Sequence, residues 1–418
     1  MNAQPAPAHD VLVVGGGIGG LATALAAARA GRDVWLVEQA AEFGEIGAGL
    51  QLGPNAVRAF DRLGLYDAVA KNAVFPSRSV VRDAMDGSVL TVLDFGSSFV
   101  ERYGYPYIVA HRRDVLDALL AACHAQPKIH LENGRQVVGV HEDAEAAAVT
   151  FADGETYRAR VLVGADGINS RVRRLLDTSD PTFSGHVANR GAIAVEDTPH
   201  PVSSDEILLW IGTGLHLMQY PVRSGTMYNQ VAVHTRDARA HARSVTGSEE
   251  LNSIFAETCE EVRRSVELID TTRSWPVADR DPLPTWTTGR SVLIGDAAHA
   301  MLQYLGQGAC QALEDALELG GALARHPDDC RSAFREYESV RLQVASRCQT
   351  VARPWGDLWH TDDPTTLALR DRVFRLRCDD DYSDLDWLYA ERVADGRPAR
   401  DPAGAPHDTL YLTAKDVS

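Results

Sequence analysis

The sequence predicts an α/β protein in which a parallel-sheet domain is built in three visits, the chain returning to it twice. A mainly antiparallel second sheet lies between the visits, and helices follow at the C-terminal end. Three observations carry this expectation. Residues 11–38, VLVVGGGIGGLATALAAARAGRDVWLVE, read as strand, glycine turn, helix, strand and terminal acid. Two later apolar runs, Val161–Val163 and Ser291–Ile294, each enter a glycine-acid turn, Gly164-Ala165-Asp166-Gly167 and Gly295-Asp296. The stretches around 78–110 and 186–286 hold short strand-like runs separated by polar turns.

In the first unit Val11–Val14 suits a strand buried on both faces. Gly15 allows the tight turn, Gly17 the approach of a pyrophosphate, and Gly20 close helix–strand packing. The helix-favouring run Leu21–Ala30 follows and offers its N-terminus to phosphate. Val34–Val37 closes the unit, and Glu38 is placed to accept the hydroxyl hydrogens of an adenosine ribose while repelling a 2′-phosphate. The unit is an ADP-ribose cradle, which leaves FAD and NAD as candidates.

Residues 42–54, EFGEIGAGLQLGP, hold four glycines in the eleven positions from Gly44, which suits backbone lying close to something flat. Beside a nucleotide cradle this favours cofactor contact, with Gln51 as a candidate, over an ordinary flexible loop. A helix is expected after Pro54 with Asn55 as its cap. Residues 78–110 read as antiparallel sheet, and Asp114 as the cap of a helix running through Val115, Leu116, Leu119 and Leu120. Arg112, just before it, is by itself an ordinary surface charge. Strands at 136–141, 147–151 and 157–163 form a meander that ends in the Gly164–Gly167 turn and a helix bearing Arg171 and Arg173. Asp166 fits either a turn-and-cap role or a dinucleotide groove, and its flanking glycines favour the groove.

The middle segment carries ILLWIG, LHLMQYPV and TMYNQVAVHT as strands, with a helical insertion near 248–268. His216, Met218 and Tyr220 share one strand face. A histidine and a tyrosine there are more often satisfied core groups than catalysts. After Ser291–Ile294, Asp296 stands at the strand's C-terminal end, where open α/β sheets bind ligands. Gly306 and Gly308 precede a helix from about Ala309, and another helix covers 329–353. The segment from Trp355 is aromatic-rich, which suggests subunit contact in a dimer or larger homo-oligomer, and 396–418 reads as disordered.

Composition narrows the function. The 418 residues suffice for two associated domains, and a net charge of −17 argues against nucleic-acid binding. Only Lys71, Lys128 and Lys415 are lysines, a bias read as one of coding rather than of function. The six cysteines are scattered without C-x-x-C, which argues against a metal or disulfide-exchange site and fits a reducing compartment. The first ten residues lack a signal peptide's apolar core, and no apolar run reaches about 18 residues. A cytoplasmic protein without membrane association is expected. No second complete Gly-x-Gly-x-x-Gly unit accompanies the first, which disfavours a disulfide reductase or a true dehydrogenase.

Gly15–Glu38, Gly164–Arg173 and Gly295–Asp315, in this order and spacing, resemble the flavoprotein aromatic hydroxylases. These are single-component FAD monooxygenases related to p-hydroxybenzoate and salicylate hydroxylase, and the resemblance covers about residues 8–375. It implies a Rossmann-like FAD-binding domain (GR2-type, p-hydroxybenzoate hydroxylase fold) made of 1–75, 111–185 and 287–325. A substrate sheet is then expected at 76–110 and 186–286, with a C-terminal helical region at 326–395. Gly15, Gly17, Gly20 and Glu38 would hold the ADP part, Asp296 the ribityl chain, and Arg112 would contact FAD. Gln51, Gly306, Gly308 and Ala309 would complete the flavin site. The Asp166 motif, with Ser170 and Arg173, would lie at the cleft used by FAD and the nicotinamide donor. Gln303 stands where most of the family has proline, and Cys310 where it has asparagine; Cys310 reads as packing.

Leu302–Leu305, with His216 and Tyr220, is similar to the 3-hydroxybenzoate 6-hydroxylase branch, and EFGEIGAGLQLGP, NQVAV, WGDLWH and DWLY fit it too. In that branch the matching histidine, tyrosine and glutamine line the substrate pocket, which reverses the reading of His216 and Tyr220 as core. The implied reaction uses NADH or NADPH and O2, and proceeds through a flavin C4a-hydroperoxide. It hydroxylates a small phenolic ring, 3-hydroxybenzoate-like in class, para to its hydroxyl. His216 is the expected base, Gln303 a partner of the same hydroxyl, and Tyr220 a partner of a second polar group. The alternatives are a larger phenol or hydroxypyridine, an FAD oxidase or epoxidising enzyme, and a redox-sensing flavoprotein.

Overall fold

The computed structural model describes residues 9–44, 49–198, 201–236 and 245–390. The strands in chain order are β1 (His9–Val14), β2 (Val34–Val37), β3 (Gly49–Leu52), β4 (Arg78–Asp83), β5 (Val89–Asp94), β6 (Ile108–His111), β7 (Ile129–Glu132) and β8 (Val137–Glu142). They continue with β9 (Ala147–Phe151), β10 (Thr156–Gly164), β11 (Thr182–Ala194), β12 (Glu206–Gly212), β13 (Leu215–Val222), β14 (Met227–Thr235), β15 (Trp275–Asp279) and β16 (Ser291–Leu293). The helices are α1 (Ile18–Arg29), α2 (Pro54–Arg62), α3 (Tyr66–Ala70), α4 (Ser97–Tyr103), α5 (Arg112–His124) and α6 (Ser248–Ile254). After them come α7 (Glu260–Val266), α8 (Gly295–His299), α9 (Gly308–Arg325), α10 (Cys330–His360), α11 (Pro364–Leu376) and α12 (Asp386–Tyr389).

The first sheet has the order β7-β2-β1-β10-β9-β8, with β16 pairing β10. Strands β7, β2, β1, β10 and β16 are parallel, and β8 and β9 add the antiparallel meander. Val11, Leu12, Val13 and Leu162 are fully buried, as the continuous apolar runs require. The second sheet has the order β15-β11-β14-β13-β12-β4-β5 and is antiparallel except for the β12–β4 pair. A small β3-β6 sheet lies between them.

The glycines at the first turn serve geometry. Gly15 has φ +109°, and a Cβ added at Gly20 would lie 1.9 Å from the Gly15 carbonyl oxygen. The turn therefore closes only with both positions bare. Helix α1 starts at Ile18, one turn earlier than its alanine run suggests.

Several local expectations are corrected. The cap of α2 is Gly53, and Asn55 is buried inside the helix, where Nδ2 donates to Gln307 Oε1 and Glu314 Oε2. The cap of α5 is His111, and Asp114 instead pairs with Arg223. Residues 78–110 are not one antiparallel unit: β4 and β5 join the second sheet, α4 intervenes, and β6 pairs β3. After Gly167 the chain makes a turn and one short 3-10 helix, Val172–Leu175, which bears Arg173 but not Arg171.

Helix α10 runs through Pro354 to His360, so WGDLWH is helix rather than tail. Proline removes one backbone donor, but packing sustains the helix: Trp359 is buried, and Gly356 lies so close under Tyr304 that a Cβ would approach its ring to 2.2 Å. The aromatic residues expected at a subunit contact pack within the chain. Tyr382 and Tyr389 meet Phe99 and Tyr103 edge-on, and Trp387 lies under Arg347. The expected leader at 1–8, the middle of the glycine loop at 45–48 and the tail at 396–418 lie outside the described residues. No helix among the described residues is long and apolar enough to cross a membrane, and all six cysteines are free.

Candidate active site

A cavity of about 1210 Å3 opens where β1, β10 and β16, three neighbours in the first sheet, end. This is the edge at which open α/β sheets bind ligands. Gly17 and Gly19 of the first turn, Ala165 and Gly167 of the second, and Gly295 and Asp296 of the third line it together. The N-termini of α1 and α9 meet there, with Gly308 and Ala309 on the wall and Gly306 in the left-handed region at φ +62°. Arg112 lines the same end, where burial lowers its pKa and the charge of Asp296 opposes that shift. Gln51 joins them, its Oε1 accepting from the Tyr107 hydroxyl at 2.9 Å.

Four expected cofactor residues stand away from the cavity lining. Gly15 and Gly20 shape the turn from behind. Glu38 accepts from the N–H groups of Gly16 (2.7 Å) and Ala40 (2.9 Å), which ties its carboxylate to that turn. Asp166 is corrected further. Its carboxylate accepts from Ser170 Oγ, Arg171 N and Val172 N, so it builds the turn, while its neighbours Ala165 and Gly167 face the cavity. The flat groups met by the glycine loop include the chain's own tyrosines: Gly49 lies against the Tyr220 ring and Gly53 against Tyr389.

These residues fit the flavin dinucleotide that the three motifs imply. The bare turn at Gly15 and Gly20 admits no Cβ, and two helix N-termini and an arginine converge on one groove. Asp315 holds the third motif in place. It is fully buried and accepts from His299 Nε2 (2.6 Å), Gly295 N (2.9 Å) and Arg341 Nε (2.9 Å). Despite burial, the charges of His299 and Arg341 and these hydrogen bonds hold its pKa down at about 2.

The second sheet supplies the floor. Pairing puts Tyr220 opposite Asn229, Met218 opposite Val231 and His216 opposite Val233, and β14 relates these in turn to Ala192, Arg190 and Ala188. Cross-strand partners share a face, and His216, Met218, Tyr220, Val231 and Arg190 all line the cavity. The Tyr220 hydroxyl makes no hydrogen bond among the described residues, and burial pushes its pKa up.

His216 is buried, edge-on to Trp359 and Tyr304, and its Nδ1 lies 2.7 Å from His360 Nε2. His360 Nδ1 lies 2.8 Å from the Gly356 carbonyl oxygen, which only accepts, so Nδ1 carries the proton. Burial and His186 lower the His360 pKa to about 3, which keeps it neutral, so its Nε2 accepts. His216 therefore donates from Nδ1 and keeps a bare lone pair on Nε2. Its pKa is well below 6.5, first because of burial and then because of His360 and His186.

Gln303 sits above the floor, its Oε1 accepting from Arg190 Nη2 at 2.7 Å. An arginine can only donate, so the amide oxygen faces Arg190 and Gln303 Nε2 is left to donate elsewhere. Sequence reasoning gave no individual role to Arg190, His360, His186 or Tyr304, although Tyr304 and His360 lie in strings that carried the resemblance. One readable signal was present: Val351, Trp355 and Trp359, spaced by four, form the cavity-facing stripe of α10.

A family model described as "FAD binding domain" matches residues 8–352. The 3-hydroxybenzoate 6-hydroxylase of Polaromonas naphthalenivorans (strain CJ2) is 37% identical over 395 residues, which cover 94% of this chain and 98% of that protein. The 3-amino-4-hydroxybenzoate 2-monooxygenase PtnB3 of Streptomyces platensis is 35% identical over 390 residues, 92% and 96% of the two chains. Among solved structures, a salicylate hydroxylase substrate complex superposes with a TM-score of 0.76 at 28% identity, covering 93% of this chain and 96% of that one.

Proposed function

The chain belongs to the FAD binding domain family and is an FAD-dependent aromatic hydroxylase, and from that premise we propose how and on what it acts. The substrate is a small phenolic ring of the 3-hydroxybenzoate class, hydroxylated para to its hydroxyl. NADH or NADPH supplies two electrons, O2 supplies one atom to the ring, and the other atom leaves as water. FAD, when bound, contributes the redox and oxygen-transfer chemistry that no side chain can provide.

The groove formed by Gly17, Gly19, Arg112, Asp296 and Gly308 receives the cofactor, with Gln51, Gly306 and Ala309 closing its flavin end. Gly15 and Gly20 keep the turn bare where its dinucleotide end docks, and Glu38, bonded to the Gly16 N–H, stands at that turn for the ribose hydroxyls. The ring lies over the floor, and its hydroxyl donates to His216 Nε2. Electron-rich rings react with electrophilic oxygen faster as phenolates, so movement of that proton toward His216 activates the ring. General-base help of this kind is worth about 10²–10⁴ in rate. Gln303 Nε2 donates to the same oxygen and stabilises its growing charge. Tyr220 bonds a second polar substituent. Trp355, Trp359 and Tyr304 exclude water.

The observation that carries this reading is the bare Nε2 of a buried, neutral His216 on the floor of a cavity that also reaches the dinucleotide motifs. The test is a panel of phenols, hydroxybenzoates and hydroxypyridines screened for stimulated NADH oxidation by the purified yellow protein, with products identified by mass and NMR. A ring-hydroxylated product supports it. Peroxide without product points to an oxidase and removes it.

A further inference from the structure

The cavity floor carries a cation without a counter-ion among the described residues. Arg190 shares a row with Val231 and Met218, and His216 lies one row along on the same face. Its Nη2 is bound to Gln303, its Nε is buried without a partner, and its Nη1 makes no hydrogen bond. Among the described residues no carboxylate pairs with it. The charges that act on it come from Arg112, which is of like sign, and from Tyr220. Asp270, Asp296 and Asp384 line the cavity, yet none bonds it. The Trp275 ring lies 5.8 Å from the guanidinium carbon.

An arginine does not shed its proton in a protein, and a half-buried cation without an anion is a costly arrangement. Its planar fork suits a planar anion. We propose that Arg190 is the subsite for a carboxylate on the aromatic substrate. The enzyme then takes phenolic acids, with the hydroxyl at His216 and the carboxylate at Arg190. Neighbouring strands lie about 4.8 Å apart, so the two residues stand about 10 Å apart across the sheet and about 7 Å along it at backbone level. One long arginine arm and one benzene ring bearing both substituents bridge that span. Gln303, held by the same arginine, is thereby set beside both groups.

This proposal rests on the reading of the cavity as a phenol site, and its test separates the two. The holoenzyme without nicotinamide is titrated with matched acids and amides, followed by the change in flavin absorbance. The pairs are 3-hydroxybenzoate and 3-hydroxybenzamide, 4-hydroxybenzoate and its amide, salicylate and salicylamide, and 6-hydroxynicotinate and its amide. At least one acid should bind tenfold or more tightly than its amide. Arg190→Met should reduce that preference below threefold while amide affinity stays within threefold of the parent. Arg190→Lys, which keeps charge but not the fork, should keep part of the preference, and it serves if the methionine variant does not fold.

Amides binding as well as acids in the parent, no ligand of the panel binding, or an acid preference that survives Arg190→Met would each overturn the proposal. Loss of flavin from Arg190→Met with equal weakening of acids and amides would also overturn it, by assigning Arg190 to the cofactor. If amides and simple phenols are hydroxylated without any acid preference, the phenol-hydroxylase reading stands and the carboxylate subsite falls. If no phenol is hydroxylated, the broader reading fails by itself.

Discussion

His216 and His360 share one proton across 2.7 Å, and the Gly356 carbonyl decides which ring carries it where. At the residue scale this gives three expectations. His216→Ala should lower hydroxylation at least tenfold while FAD stays bound, measured as product formed by flavin-replete protein. The burial-lowered pKa of His216 places the acid limb of the hydroxylation profile below pH 6.5. A limb at or above 6.5 would contradict the assignment. In His360→Ala one of the causes lowering that pKa is gone, so the limb should move upward, toward the ordinary histidine value. An unmoved limb would show that His360 only packs. The strand face holding His216 and Tyr220 was readable from period-two alternation. Arg190 was not, because its meaning comes from Gln303, 113 residues away, and from the absence of an acid that only the fold reveals.

Elements show a similar division. The strand–turn–helix of the first motif was legible because its glycine spacing and buried apolar runs express one local geometry. A Gly20→Ala methyl would meet the Gly15 carbonyl oxygen, so that variant should emerge with much reduced flavin content, read from the 450 nm band against protein. The end of α10 was misread because Pro354 is a local breaker, whereas Trp359 burial and the Tyr304 contact are tertiary. Asp166 shows the limit of local reading: its carboxylate accepts from Ser170, Arg171 and Val172, and the sequence does not say which way a carboxylate points. Asp315 ties α8, α9 and α10 together through His299, Gly295 and Arg341. Asp315→Ala takes from buried Arg341 its shorter carboxylate contact, leaving Glu314 at 3.3 Å, and strips His299 and the Gly295 N–H of their acceptor, so we expect a loss of about 1–3 kcal/mol in denaturant unfolding. A change below about 1 kcal/mol would mean that the network is dispensable.

For the whole molecule, the alternation of the two sheets along the chain brings His186, His216 and His360 into one buried cluster on the cavity side. All three have lowered pKa values, caused first by burial. The folded state thus binds fewer protons than the unfolded chain once pH falls below 6.5, and stability must fall as pH falls through that range. Asp315, held near 2, keeps its contribution until pH drops below 3.8 and loses it toward 2. Melting temperatures should therefore decline between pH 7 and 5, and a flat profile there would argue against neutral histidines in the fold.

The two-sheet architecture was legible because motif order and strand alternation survive in the sequence. The inward packing of the C-terminal aromatics was not, since a stripe of tyrosine and tryptophan looks alike whether it covers its own chain or another. The most direct measurement of the central claim is the mass of the product formed from NADH, 18O2 and a phenolic acid by the purified flavin-containing protein. We predict one labelled oxygen in the ring, at a yield that falls at least tenfold in His216→Ala. An unlabelled product, or undiminished labelling in that variant, would contradict it.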